Sequence, residues 1–253
     1  MFVQERQEKI IELLQERGRV LVKDLSIYFK VTDDCIRKDL ALLEKKGLLK
    51  RVYGGAVLYR TNTHQLKVQQ RRDVNIEQKQ IIAQKALSLI NEGEVIFLDI
   101  STINIELAKL IFMAGLKVTV ITNMIAVMSI AVEKKAKDFI FIGGVLDSGS
   151  DGFIGTTAND IIKKFQFDAA FMGAVGIDIY KNAVYTYKAE DGYTKKTAVE
   201  AAGRRYILAE SEKFSRSGNF IYAAVTDFNA IVTEKKLPSL ALKKLQEYAI
   251  MVF

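Results

Sequence analysis

The chain has 253 residues, of which 49% are hydrophobic, enough for one large domain with a sizeable core and a smaller companion. Lys and Arg number 37 against 30 Asp and Glu, a formal net charge of +7 that suits a polyanionic partner without identifying one. A single Cys excludes an intrachain disulfide, and a single His beside it argues against a zinc site or a His-based triad, so no metal or cofactor is expected.

In chain order, residues 4–17 place Ile10, Leu13 and Leu14 at helical spacing, and Gly18 stops that helix. Residues 20–29 put Val22, Leu25 and Phe29 on one face of a second helix, which a short turn at Lys30-Val31 ends. Residues 32–46 form a third, with Ile36, Leu40 and Leu43 on its buried face. Thr32 suits its N-cap, because a hydroxyl accepts a free N–H of the first turn, and Gly47 suits the left-handed residue that closes it. Helices in this order, with a tight turn between the last two, make a helix-turn-helix, whose second helix lies in the DNA major groove. The apolar pair Leu48-Leu49 and the later Val52, Val57 and Leu58 predict a small hairpin with Gly54-Gly55 at its turn or exit. Arg37, Lys38, Lys45, Lys46, Lys50, Arg51 and Arg60 outnumber Asp39 and Glu44 across this stretch. Such cations neutralise phosphates, although a charge run is often only a solvated face.

These residues resemble the DNA-binding domain of the DeoR family of bacterial transcription regulators. The resemblance rests on Val31-Thr32, Ile36-Arg37-Lys38-Asp39-Leu40, Leu43-Glu44, Gly47, Arg51 and Gly54-Gly55-Ala56. Cys35 stands where that family usually has threonine and Lys38 where it has arginine. Lysine is the poorer bidentate reader of guanine, so the operator sequence is expected to differ. The residues expected at DNA are Thr32, Asp34, Cys35, Arg37, Lys38, Lys45, Lys50, Arg51 and Tyr53. The DNA-binding domain is expected over residues 1–57. The polar, aperiodic residues 58–75, which include His64, are expected to be a linker.

Residues 76–253 alternate helical and strand patterns, as expected of a mostly parallel sheet covered by helices. Strands are expected at 94–99, 118–122, 139–143, 168–173, 206–210 and 230–233. Helices are expected at 78–91, 104–113, 124–133, 156–165 and 190–202, with a helix–strand pair over 238–253. Ligands of such sheets bind beyond the carboxyl ends of the strands. Those ends read Asp99-Ile100-Ser101-Thr102, Thr122-Asn123, Gly143-Gly144, Gly173-Ala174-Val175-Gly176 and Glu210-Ser211-Glu212-Lys213. Ser101 and Thr102 open a helix, whose free N–H groups favour a phosphate, and Lys213 offers a counter-charge. Ordinary turns and caps would also read this way at any single strand end.

The second region resembles the effector domain of DeoR regulators, similar in fold to ribose-5-phosphate isomerase. The expected fold class is therefore α/β: a winged helix-turn-helix domain followed by an isomerase-like effector domain. The resemblance implies a phosphorylated sugar or related metabolite held near Ser101 and Thr102, with Asp99, Thr122, Asn123, Gly143, Gly144, Gly173 and Lys213 lining the site. Arg72 and Lys79 match positions near the entrance of that domain. It departs from the family at Ile100, usually glycine, at Val175, usually an acid, and at Glu210, usually aspartate. Valine cannot accept a hydrogen bond from a sugar hydroxyl, so a less hydroxylated ligand or a remodelled pocket is expected.

A metabolite-responsive repressor acting on double-stranded operator DNA is the leading expectation. A two-fold dimer or a pair of dimers in the cytoplasm would match paired half-sites. No apolar stretch reaches the roughly 18 residues of a membrane span, and the charged N-terminus is unlike a signal peptide. The alternative is a sugar-phosphate isomerase carrying a DNA module, for which Asp99 and Glu190 are the candidate bases.

Overall fold

The computed structural model describes residues 2–58 and 72–253. Most of the expected linker, including His64, lies outside the described residues.

The N-terminal region runs α1 (Val3–Arg17), β1 (Arg19–Leu21), α2 (Val22–Phe29), α3 (Asp33–Lys45), β2 (Leu49–Val52) and β3 (Gly55–Leu58). Ile10, Leu14, Leu25, Ile36, Leu40, Leu43 and Leu49 form its core. Gly18 adopts φ 70° and ends α1 by returning its N–H to Leu14 O. The second helix starts at Val22, because residues 19–21 extend into a strand rather than joining the helix expected from 20. That strand pairs antiparallel with β3, giving the sheet order β1-β3-β2. A Cβ at Gly55 would lie 1.9 Å from Val20 O, so only glycine lets the two strands meet there. Tyr53 and Gly54 turn the hairpin, with Gly54 at φ 76°.

Asp39 departs from its expected place among the surface charges. It is 2% exposed, and its carboxylate accepts from Arg6 Nε at 2.6 Å and Gln7 Nε2 at 3.1 Å. A buried ion pair therefore fastens α1 to α3.

The second region is built on a seven-stranded parallel sheet in the order β15-β14-β12-β9-β4-β5-β6. Its strands are β4 (Val95–Leu98), β5 (Thr119–Thr122), β6 (Phe139–Phe141), β9 (Phe167–Gly173), β12 (Ala202–Leu208), β14 (Ala230–Val232) and β15 (Met251–Val252). Successive side chains point to opposite faces. Phe97, Ile121, Ala170, Met172, Ile207 and Ile231 join one core, while Ile96, Leu98, Val120, Phe171 and Leu208 join the other. Helices α4 (Ile76–Leu87), α5 (Thr102–Ala114) and α6 (Ile125–Glu133) supply the second core with residues such as Ile82, Leu107 and Val127. Helices α7 (Thr156–Ile162), α8 (Ala189–Glu200) and α9 (Ser239–Glu247) supply the first with Ala158, Ala198 and Leu245.

Two pieces have no counterpart in the sequence reading. The hairpin β7 (Val145–Asp147) and β8 (Gly152–Ile154) follows β6. A three-stranded antiparallel sheet joins β10 (Gly176–Asp178), β11 (Ala183–Thr186) and β13 (Phe220–Ala223) in that order. These strands are short, and their pairing depends on residues distant in sequence, which periodicity cannot register.

The strand order fixes where a ligand can sit. From β4 the chain moves outward to β5 and β6, then returns to the other side of β4 as β9 and continues to β12, β14 and β15. The reversal lies between β4 and β9, and a sheet of this type opens a crevice at its strand ends there.

Candidate nucleic-acid interface and ligand cavity

Helix α3 begins at a side-chain cap: Thr32 Oγ1 accepts from Cys35 N at 3.3 Å. Asp34, Arg37, Lys38, Ala41 and Lys45 recur at helical spacing opposite the buried Ile36, Leu40 and Leu43. All nine residues expected at DNA are exposed, with Tyr53 at the hairpin tip fully so. They differ in how far they are already engaged. Arg37 Nη1 donates to Asp34 Oδ1 at 2.8 Å, which holds the guanidinium at the N-terminal end of the exposed face. Arg51 gives both its backbone N–H and its Nε to Glu44, at 2.8 and 2.6 Å, and so ties β2 to α3. Those bonds hold the Glu44 carboxyl below its ordinary pKa. Among the described residues, Lys38, Lys45 and Lys50 form no ion pair, which leaves their charge for an outside partner.

In the second region a cavity of about 440 Å³ opens at the reversal between β4 and β9. Ser101, Thr102, Gly173 and Lys213, all expected at the site, line it together with Lys79. Ser101 caps α5 by accepting from Ile103 N at 3.3 Å, so the first turn of α5 faces the cavity. A Cβ on Gly173 would stand 2.7 Å from Ser101 Cβ, so glycine keeps these two strand ends in contact.

The other expected residues do not line it. Asp99 is 2% exposed and lies beneath the cavity, accepting from Gly173 N at 2.9 Å and from Lys195 Nζ. Thr122 is fully buried; its hydroxyl donates to Leu98 O at 2.6 Å and accepts from Met124 N at 3.1 Å. Asn123 donates to Phe153 O at 2.7 Å and so holds β8. Gly144 packs under α7, where a Cβ would stand 3.1 Å from Ala158 Cβ, and Gly143 precedes it. Thr122 ends β5, Asn123 follows it, and Gly143 and Gly144 come after β6; both strands lie outward of the reversal. Glu190 is exposed and does not line the cavity, whereas its neighbour Asp191 does.

The cavity wall that the sequence reading missed comes from β11 and α8. Thr186, Lys188, Asp191 and Lys195 all face in. Lys195 is 5% exposed and sits between the carboxylates of Asp99 and Asp191, the latter at 3.9 Å. Thr186 Oγ1 donates to Asp191 Oδ2 at 2.5 Å. Behind this wall the Tyr222 hydroxyl donates to Gly173 O at 2.9 Å, and its ring lies 5.9 Å from Lys195 Nζ. Burial pushes the Asp99 carboxyl up, with Lys195 opposing and Asp191 adding to the rise. Burial and the same two carboxylates raise the Tyr222 phenol well above its ordinary value, so it stays a neutral donor. In the sequence, Lys188, Asp191 and Lys195 fall in a mixed-charge run, 188–196, which reads equally well as a solvated helix face.

A strap closes one side. Residues Gly149 and Ser150 of the β7–β8 loop line the cavity. Asp147 fastens the loop by accepting from Lys188 Nζ at 2.7 Å, Ser150 Oγ at 2.9 Å and Gly149 N at 3.2 Å. Burial pushes its carboxyl up, but these bonds together outweigh burial and hold it below the ordinary range. Asp151, next in the loop, accepts from Arg72 Nη2 at 2.5 Å. Val74 and Asn75, just after Arg72, are also cavity wall, and buried Lys79 donates to Arg72 O at 3.3 Å.

Both regions match known families. Residues 6–62 match the DeoR-like helix-turn-helix domain, and residues 74–235 match the DeoR C terminal sensor domain. The chain belongs to the DeoR family. It is accordingly a DNA-binding transcriptional regulator, of a family of regulators rather than enzymes. The lactose phosphotransferase system repressor of Streptococcus mutans is 31% identical over 98% of both chains. The putative aga operon transcriptional repressor of Escherichia coli O157:H7 is 30% identical over 98% of this chain and 92% of that one. The L-fucose operon activator of Haemophilus influenzae is 30% identical over 97% and 98%. Among solved structures, ribose 5-phosphate isomerase A of Methanocaldococcus jannaschii aligns with TM-score 0.41 at 16% identity, over 55% of this chain and 54% of that one. No described helix of this DeoR-family chain is long and apolar enough to cross a membrane.

Proposed function

We propose that the protein represses carbohydrate-metabolism genes in the cytoplasm and that a phosphorylated sugar bound in the 440 Å³ cavity governs its hold on operator DNA. The observation that carries this reading is the cavity's charge. The N-terminus of α5 and the cations Lys79, Lys188, Lys195, Lys213 and Arg216 meet around one opening, where they outnumber the lining acids Asp191, Glu210 and Glu212. A helix N-terminus and clustered cations together favour a phosphate. Named relatives that regulate lactose, aga and fucose operons support the sugar class.

DNA is read by the exposed face of α3 and the hairpin tip: Thr32, Asp34, Cys35, Arg37, Lys38, Lys45, Lys50, Arg51 and Tyr53. Ser101, Thr102, Gly173 and Lys213 contact the effector directly. Asp99 acts through Lys195, while Thr122, Asn123, Gly143 and Gly144 support the surrounding strand ends. A two-fold oligomer would present two copies of α3 to paired half-sites. The route between sites is the segment entering the sensor domain, since Val74 and Asn75 are cavity wall and Arg72 is pinned to the strap by Asp151.

The test is a thermal-shift screen of sugar phosphates and inorganic phosphate, followed by gel-shift titration on the promoter nearest the gene. Sugar phosphates are expected to raise the melting temperature and to weaken the DNA complex. Stabilisation that is unchanged in the Ser101→Ala, Thr102→Ala variant would sink the phosphate placement.

A further inference from the structure

Lys188 stands just before α8, where its backbone carbonyl accepts from Gly192 N at 2.9 Å. The start of the helix thus fixes its backbone, and the side chain alone is left to swing. Its ammonium reaches Asp147 Oδ1 at 2.7 Å, on the strap 41 positions earlier. Asp147 is 7% exposed and is not itself cavity wall. The cavity-facing residues of the strap hang on it instead. Gly149 N and Ser150 Oγ donate to its carboxylate at 3.2 and 2.9 Å, and Ser150 N donates to its carbonyl at 3.1 Å. Among the described residues, Lys188 is the one side chain outside the strap that bonds Asp147. The far end of the strap is anchored elsewhere: Ile125 N donates to Asp151 O at 2.9 Å and Phe153 N to Asn123 O at 2.9 Å. Lys188 therefore sets where the tip lies.

An ammonium has three N–H donors and no acceptor. One goes to Asp147, and Lys188 also lines the cavity, with no other bonded partner among the described residues. An anion in the cavity can take a second donor without breaking the first bond. The Asp147 bond also holds a long side chain in place beforehand, removing rotamer freedom that a loose lysine would lose on binding.

We propose that Asp147 is a positioning residue for Lys188, and that the effector's anionic group, by adding to the same ammonium, tightens the strap over the cavity. This inference rests on the reading of the cavity as a sugar-phosphate site. Coupling is reciprocal, so a strap that the ligand tightens must in turn tighten the ligand.

The test uses the full chain with Asp147→Asn, Lys188→Met and the double variant. Affinities are measured by calorimetry for galactose 6-phosphate, glucose 6-phosphate, fructose 1-phosphate and inorganic phosphate. Hydrogen exchange is followed in the strap, residues 145–154. In the wild type the tightest probe should slow strap exchange by about fivefold or more. Asp147→Asn should weaken that probe by a similar factor, and Lys188→Met by about tenfold, as for a lost hydrogen bond to a charged group. The double variant should bind within about twofold of Lys188→Met, because Asp147 acts only through Lys188. Losses that multiply in the double variant would overturn the inference, since Asp147 would then be merely structural. Tighter binding by Asp147→Asn would also overturn it, since strap and ligand would then compete for the ammonium. Lys188→Met alone keeps the inference testable if Asp147→Asn does not fold. Its strap should exchange faster than the wild type's when free and should not be slowed by ligand; wild-type exchange with and without ligand would overturn the latch. If no probe binds the wild type, the sugar-phosphate reading fails and takes the coupling with it, while exchange in the free proteins still reads the Lys188 latch by itself.

Discussion

Removal of the Asp39 carboxylate would strand a buried guanidinium. The Arg6 and Asp39 side chains are 10% and 3% exposed, so neither charge can be rescued by water. Breaking one partner of such a pair costs about 3–5 kcal/mol, whereas an apolar pair of similar volume is close to neutral. Asp39→Ala is therefore expected to destabilise the DNA-binding domain by that amount in denaturant unfolding, and Arg6→Met with Asp39→Leu to recover most of it. Arg37 and Lys38 behave oppositely. Both are exposed, and substituting either should move stability by no more than about 0.5 kcal/mol. Loss of two phosphate- or base-contacting cations should still weaken promoter binding and flatten its salt dependence by about 2 units of slope. Equal affinity of the Arg37→Ala, Lys38→Ala variant would contradict the role given to α3. Sequence spacing could tell core from surface along this helix, but it could not tell that one of its charged residues, Asp39, had a partner 33 positions earlier.

At the scale of elements, caps and straps decide local order. Thr32 satisfies one free N–H of α3, and Thr32→Ala is expected to cost about 1 kcal/mol. The β7–β8 strap depends on ionised Asp147. A carboxyl held below its ordinary value contributes stability that is fully present above the unfolded pKa of about 4 and is lost as pH falls through the folded value. The difference in melting temperature between wild type and Asp147→Asn is therefore expected to shrink between pH 6 and pH 3. A constant difference across that range would mean that Asp147 does not act through its charge. The helices, and the strands of the parallel sheet, were legible because each carries its own periodicity. The β10–β11–β13 sheet was not, since its strands are short and their partners are distant, and with it went Thr186, Lys188 and the α8 residues Asp191 and Lys195.

On the scale of the whole molecule, the Arg72–Asp151 pair lies between the cavity strap and the segment that leads back to the DNA-binding domain. An effector shifts DNA affinity only through a difference in its own affinity for two states, and that difference needs a moving contact. Asp151→Asn is expected to keep both promoter binding and the thermal shift by sugar phosphate, and to lose most of the effector's influence on the DNA complex. If the variant still releases DNA at the wild-type effector concentration, coupling runs elsewhere.

What the sequence determined by itself was local or periodic: the capped helix α3, the basic hairpin, the alternation of helices and strands, and the residues standing at strand ends. Those features are set by neighbours within a few positions, where sterics, capping and amphipathic spacing act. The order of strands was decided only in three dimensions, and it selected among the strand ends. Ser101, Thr102, Gly173 and Lys213 came to line the cavity, while Thr122, Asn123, Gly143 and Gly144 fell outside it, because the sheet reverses between β4 and β9. The burial of Asp39, Lys195 and Glu210 was decided there too, since burial belongs to the packed whole and not to any segment.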